Sequence, residues 1–151
     1  MQTEPGPRSR RAALLGCYSG SVDSIRDRLL RDPRIAYALV FGSGARGSMH
    51  PQSDLDVAIG LATGVSLDIL ETGALVADLE RVAGRAVDLV IVNEAPPALA
   101  YRIFRDGVTL VERDHHAFAD RKARAVLEYL DFRPLEDLAV RGVLGAASRG
   151  R

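Results

Sequence analysis

A serine in a glycine turn and two aspartates beginning eleven residues further on are the residues of this sequence most able to do chemistry. Gly42 and Ser43 close the apolar run Ile35–Phe41. A small hydroxyl and freed backbone N–H groups at a helix start are where an anionic phosphate is best held. Asp54 and Asp56 stand at i, i+2 in a run that turns hydrophobic on its far side. In a strand both would leave one face while Leu55 and Val57 point into a core. Two carboxylates on one face, opposite a phosphate-holding turn, are hard oxygen donors able to bind a pair of Mg²⁺ ions and, through them, a triphosphate.

Asp88 is a third candidate. It lies within Ala86-Val87-Asp88-Leu89-Val90-Ile91-Val92, an otherwise apolar run, where a lone carboxylate is costly without a partner. A metal shared with Asp54 and Asp56 would partner it if the two strands are neighbours. An ion pair with Arg85 or Arg81 at a sheet edge is the alternative. Arg46 follows Ser43 by one helical turn, and its planar fork suits phosphate; an ordinary structural arginine is its other reading. Ser53 either caps the entry to the second strand or orients Asp54. His50 reads as a solvated loop residue and His115-His116 as exposed capping-turn residues, since no acids or cysteines stand at ligand spacing. The four tyrosines are not arranged as stacking platforms for bases.

Hydrophobic spacing places the elements that carry these residues. Ser21 is expected to cap a helix with Val22, Ile25 and Leu29 inward, stopped by Pro33. Strands follow over Ile35–Phe41 and Asp54 to Leu61. Ser66 is expected to open a long helix that buries Leu67, Leu70, Ala74, Leu75, Leu79 and Val82, with Gly84 as its C-terminal cap. A third strand spans Ala86 to Val92, and Pro96-Pro97 start a helix that runs through Arg105 and ends at Gly107. Val108 to Glu112 is a short strand. A last clear helix runs from His115 to Leu130 with Phe118, Val126, Leu127 and Leu130 on its apolar stripe, and a weaker one beyond Pro134 reaches Leu144. The pattern predicts a flexible arm over residues 1–20, one domain over 21–144 and a flexible tail over 145–151.

Composition narrows the classes. The chain has 151 residues, of which 47% are apolar, enough for one domain with a real core. Lys and Arg together number 20, as do Asp and Glu, so no global field draws it to nucleic acid or to an anionic membrane. Lys122 is the only lysine, which excludes a P-loop. The single cysteine, Cys17, excludes a disulfide framework and suits a reducing cytoplasm. The apolar stretch after Arg8, Arg10 and Arg11 is too short for a secretory signal, and no run approaches a membrane span.

Gly42-Ser43-Gly44-Ala45-Arg46-Gly47, then Ser53-Asp54-Leu55-Asp56, then Asp88 in an apolar strand together resemble the minimal nucleotidyltransferases of the DNA polymerase beta superfamily. The family pattern is GSxARG, a short spacer, SDxD and a later Asp. The resemblance covers roughly Ile35 to Arg113. It implies an α/β (α+β) fold, a small mixed sheet flanked by helices. It also implies a site in which Asp54 and Asp56 bind both of two Mg²⁺ ions. Asp88 would bind one ion and assist the attacking hydroxyl, while Gly42 and Ser43 hold the terminal phosphates of ATP.

The chain is too short for a second domain that would hold a template, primer or drug. The resemblance therefore implies an antitoxin of the kind paired with a HEPN-domain ribonuclease toxin, neutralising it by adenylylating a tyrosine hydroxyl. Direct binding of nucleic acid or membrane is not expected. Two other functions stay open: a nucleotidyltransferase acting on a small molecule such as an aminoglycoside, and an antitoxin that acts by binding alone.

Overall fold

The computed structural model describes residues 20–45 and 53–149. The expected N-terminal arm, His50 and Arg46 lie outside them. Helix α1 spans 20–30 and leads to β1 (Ile35–Phe41), the single turn α2 (Gly42–Ala45) and β2 (Leu55–Leu61). Then come α3 (Ile69–Ala83), β3 (Val87–Ile91), α4 (Pro97–Asp106), β4 (Val108–Glu112) and α5 (His115–Arg149). The strands form one mixed sheet in the order β3-β2-β1-β4. β1 is antiparallel to both β2 and β4, whereas β2 and β3 run parallel, as a helical crossover through α3 allows.

Each face of the sheet has its own core. Ile35, Ala38 and Val40 of β1 and Leu55, Val57, Ile59 and Leu61 of β2 pack with Val22, Ile25 and Leu29 of α1 and Leu75, Leu79 and Ala83 of α3. Leu39 and Ala58 turn the other way, onto Ala100, Ile103 and Phe104 of α4 and Ala125 of α5. Burying one such aliphatic side chain stabilises by roughly 1.5–3 kcal/mol. A one-residue slip of β2 would move its whole inward set to the wrong face, so the register is strongly specified. Between α1 and β1, Asp32 is the buried carboxylate. Arg34 donates to it from Nε at 2.9 Å and from Nη2 at 2.8 Å, and these bonds hold its carboxyl below the usual carboxylate range.

Several boundaries differ from those expected. Ser21 already lies inside α1, and its hydroxyl donates to Ala83 C=O at 2.8 Å, tying α1 to the end of α3. The N-cap of α3 is Asp68 and not Ser66. Asp68 Oδ1 accepts from Glu71 N–H at 2.8 Å while Glu71 Oε2 accepts from Asp68 N–H at 2.9 Å, a reciprocal capping box. The buried residues of the helix are Leu75, Leu79 and Ala83. Leu70 is 79% exposed, and Ala74 is exposed as well. Gly84 does end the helix, in the left-handed conformation at φ 67°.

The last helix is continuous through Pro134 and reaches Arg149, into the stretch expected to fray. A helical proline leaves the carbonyl four residues earlier without its donor. Here that residue is Leu130, which is exposed, so water can take the place of the missing bond. The side of α5 that meets the domain carries Phe118, Arg121 and Ala125, and Val126, Leu127 and Leu130 are exposed. No helix among the described residues is long and apolar enough to cross a membrane.

Tyr37 of β1 faces Gly60 of β2 across the sheet, and a Cβ at Gly60 would overlap the Tyr37 ring. Phe118 closes over that ring edge-on, with centroids 5.3 Å apart. The phenol oxygen is buried with no hydrogen-bond partner among the described residues, and burial pushes the phenol up to about 12, against a smaller opposing pull from Arg121. A group whose pKa is raised on folding contributes stability that is present below its unfolded value, near 10, and is lost as pH climbs through the folded value. Urea midpoints should therefore fall between about pH 10 and 12. Tyr37→Phe should remove this part of the alkaline loss and leave stability at pH 7 equal or higher, because no bond is broken; a variant destabilised by more than about 1 kcal/mol at pH 7 would reveal a partner for the hydroxyl.

Candidate active site

The carboxylates gather at one end of the sheet because of strand direction. β1 ends there at Phe41, whereas β2 and β3 begin there. Leu55 N–H donates to Ala86 C=O at 3.0 Å, so the ladder joining β2 to β3 starts immediately after Asp54. Asp56 is then directly in register with Asp88 on one side and with Phe41 on the other. Their neighbours on the same face, Ala58 and Val90, pack toward α4 and α5. Asp56 and Asp88 therefore project from the α4/α5 face, and Leu55 and Val87 from the opposite one, as the i, i+2 spacing predicts.

The turn after β1 presses against this pair. Gly42 has φ +66°, a conformation that side chains with a Cβ rarely adopt. A Cβ there would overlap the Asp56 carboxylate, whose Cγ would stand only 3.1 Å away. Glycine is thus required twice, by the backbone angle and by the acid beside it. Ser43 follows with helical backbone, and Ser53 occupies the bend before Asp54.

Asp54 and Asp88 are both exposed. Among the described residues neither carboxylate has a hydrogen-bond or ion-pair partner. Of the two arginines named as ion-pair alternatives for Asp88, Arg81 turns instead to Asp78 at 3.3 Å. As donors the three acids suit Mg²⁺, which prefers hard carboxylate oxygens. They are not pre-gathered: among the described residues no three acidic, histidine or cysteine side chains converge around one point. Of the expected three-carboxylate cluster, the strand register sets Asp56 beside Asp88, and Asp54 stands one residue before β2.

Two supporting groups carry no signal in the sequence. Glu80 Oε1 accepts from Val87 N–H at 3.1 Å and so pins the start of β3 beside the site. Asn93 Oδ1 accepts from Leu61 N–H at 2.9 Å and closes the far end of β2. Both link residues through the crossover, which no local pattern announces. Tyr101 and Tyr129, expected to be scattered, stack on each other at 4.2 Å between α4 and α5. His115 and His116 are exposed as expected, and Asp114 provides the cap by accepting from Ala117 N–H at 2.9 Å.

Residues 23–116 match the polymerase beta nucleotidyltransferase family. Over 96 residues, 61% of this chain and 68% of its relative, the sequence is 31% identical to the protein adenylyltransferase MntA of Shewanella oneidensis. The fold is similar to a crystal structure of a toxin–antitoxin with AMP-PNP, at TM-score 0.72 and 22% identity, covering 82% of this chain and 98% of that one. It is similar also to the structure of a tri-AMPylated HEPN toxin in complex with MNT antitoxin from Shewanella oneidensis. That likeness has TM-score 0.66 and 20% identity, over 82% of this chain and 96% of the other.

Gly42→Ala should lower stability by about 1–3 kcal/mol through backbone strain and should also displace Asp56. Gly84 provides the control, since it has a like angle, φ +67°, and open space around it. Gly84→Ala should cost strain alone. Thermal melts with and without Mg²⁺-ATP separate the two: the gain in melting temperature on adding nucleotide should shrink for Gly42→Ala and persist for Gly84→Ala.

Proposed function

Because the chain belongs to the polymerase beta nucleotidyltransferase family, we propose that it transfers AMP from ATP to a hydroxyl of a partner protein. We propose further that the partner is a HEPN-domain toxin, which the chain neutralises in the cytoplasm by modifying a tyrosine. The observation that carries the catalytic part is the register of Asp56 with Asp88, beside a glycine turn that admits no side chain. The partner rests on likeness to the adenylyltransferase MntA and to the antitoxin of the AMPylated complex.

On this reading Asp54 and Asp56 would hold two Mg²⁺ ions and Asp88 one of them. Bound Mg²⁺ would neutralise charge developing on the triphosphate. The chain's own groups do the rest. The Gly42-Ser43 turn presents backbone N–H groups and a hydroxyl to the terminal phosphates, and Arg46 is assigned to steadying phosphate charge. Ser53 sets the entry of Asp54 into β2. The acceptor oxygen forms a bond to the α-phosphorus as the bond from that phosphorus to the bridging oxygen breaks. Pyrophosphate leaves with the bonding pair, and the hydroxyl proton passes to a site carboxylate, for which exposed Asp88 is the candidate. Holding the hydroxyl in line with the α-phosphate supplies much of the rate.

Asp88 should be separable from the other two acids. Asp54→Asn or Asp56→Asn should weaken metal-dependent ATP binding in calorimetry. Asp88→Asn should keep most of that affinity and lose about a hundredfold or more in transfer, since its loss falls in the transition state. Intact-mass spectrometry of a co-expressed HEPN-domain protein reads the outcome: AMP added by wild type and none by Asp88→Asn. A partner that stays neutralised without modification would overturn transfer as the mechanism, and AMP found only on small hydroxylated molecules would overturn the protein acceptor.

A further inference from the structure

β3 is an outer strand whose outward backbone groups are capped at both ends and open in the middle. Ala86 C=O accepts from Leu55 N–H at 3.0 Å and Val92 N–H donates to Ile59 C=O at 2.8 Å. Even-numbered residues of this strand therefore bond to β2, and odd-numbered ones aim N–H and C=O away from the sheet. The first outward donor, Val87 N–H, is held by Glu80 Oε1 at 3.1 Å. The last outward acceptor, Ile91 C=O, is held by Glu94 N–H at 3.1 Å. Between them, Leu89 N–H and C=O have no partner among the described residues.

Sheet edges are commonly blunted by charge, proline or a bulge. β4, at the opposite edge, has a register shift against β1 and runs into Glu112-Arg113-Asp114. β3 pairs with β2 without a shift, contains no proline, and has Asp88 as its one charge. Beside it lies a depression of about 320 Å³ lined by Thr72 of α3, by Leu89, Val90 and Ile91, and by Pro96 and Leu99. Leu89 and Ile91 belong to the α1/α3 core and Val90 and Leu99 to the α4/α5 core. The depression thus straddles the open edge.

We propose that this edge takes an extended segment of the acceptor protein as an added strand, so that a side chain opposite Asp88 presents its hydroxyl to the site. The inference rests on the protein-acceptor reading above. The unmet N–H and C=O on one residue are complemented by the backbone of a strand, and the depression, apolar but for Thr72 and Glu94, receives its alternate side chains. The edge is continuous with the site, since Leu89 adjoins Asp88 in the same strand. A residue directly opposite Asp88 projects from the same face as the carboxylates, one strand spacing of ~4.8 Å away, which a tyrosine is long enough to reach across. A small-molecule acceptor would have no use for such an edge.

Leu89→Pro deletes the outward N–H and blocks the edge while leaving the bonds of Asp88 and Val90 to β2, a position at which proline is tolerated. Leu99→Arg fills the depression from α4 without touching β3. With a HEPN-domain protein of the host as acceptor, both variants should raise its apparent KM about tenfold or more, equivalent to ~1.4 kcal/mol of docking free energy. ATP affinity should stay within about twofold, and Leu99→Met, which keeps the wall apolar, should behave as wild type. If Leu89→Pro fails to fold by thermal melt, Leu99→Arg decides. An unchanged acceptor KM in folded variants would overturn the docking and leave the transfer reading standing. A wild type that adds no AMP to protein would overturn both. A dimer of the chain alone that Leu89→Pro dissociates would assign the edge to a second copy and overturn the proposal.

Discussion

β2 is hydrogen-bonded along both sides, antiparallel to β1 and parallel to β3, and the carboxylate site depends on that double ladder. Leu55, Val57, Ile59 and Leu61 of β2 face α1 and α3 and are almost completely buried. Moving them out of register would forfeit several side chains' worth of burial at roughly 1.5–3 kcal/mol each. Asp56 shares the backbone of those residues. Its position between the Gly42 turn and Asp88 is therefore held by the hydrophobic core and needs no attraction between the acids, which repel one another. A site built of like charges is stabilised from the far face of its own sheet.

The same arrangement explains why burial differs among the strands. β1 and β2 are interior strands, apolar along nearly their whole length but for Asp56 and largely buried. β3 is closed on one side alone, so Leu89, Val90 and Ile91 remain half-buried. Asp88 can be carried here at little desolvation cost, since its side chain is exposed. An acid in an interior strand of the same composition would need a partner. The exposed edge and the accessible carboxylate are two consequences of one topological position.

The helices divide their work unequally. α1 and α3 are fixed to each other by Ser21 on Ala83 C=O and by Arg28 on Asp78 at 2.8 Å. α4 and the first half of α5 cover the carboxylate face, with Arg121 Nε donating to Val92 C=O at 3.2 Å. Beyond Tyr129 the described side chains of α5 are exposed, Leu135 and Leu138 among them. The described side chains there add nothing to the core.

The strands and the glycine turn could be read from the residues because their signals are local. β1 and β4 have the expected bounds, and β2 and β3 start one residue later. Period-two alternation puts Asp56 on the face opposite Leu55 and Val57, and glycines mark helix ends. The register of Asp56 with Asp88 was decided by tertiary structure alone, because a parallel ladder closes through a helical crossover whose length does not specify which residues meet. The start of α3 at Asp68 instead of Ser66 follows from the reciprocal bonds of Asp68 and Glu71, a pair that apolar spacing alone does not mark. Pro134 leaves α5 continuous, and Leu130, whose carbonyl loses its donor, is exposed. Strand order was invisible for the same reason: which strand is left at an edge is a property of the assembled sheet, and that decided which backbone groups remain open beside the acids.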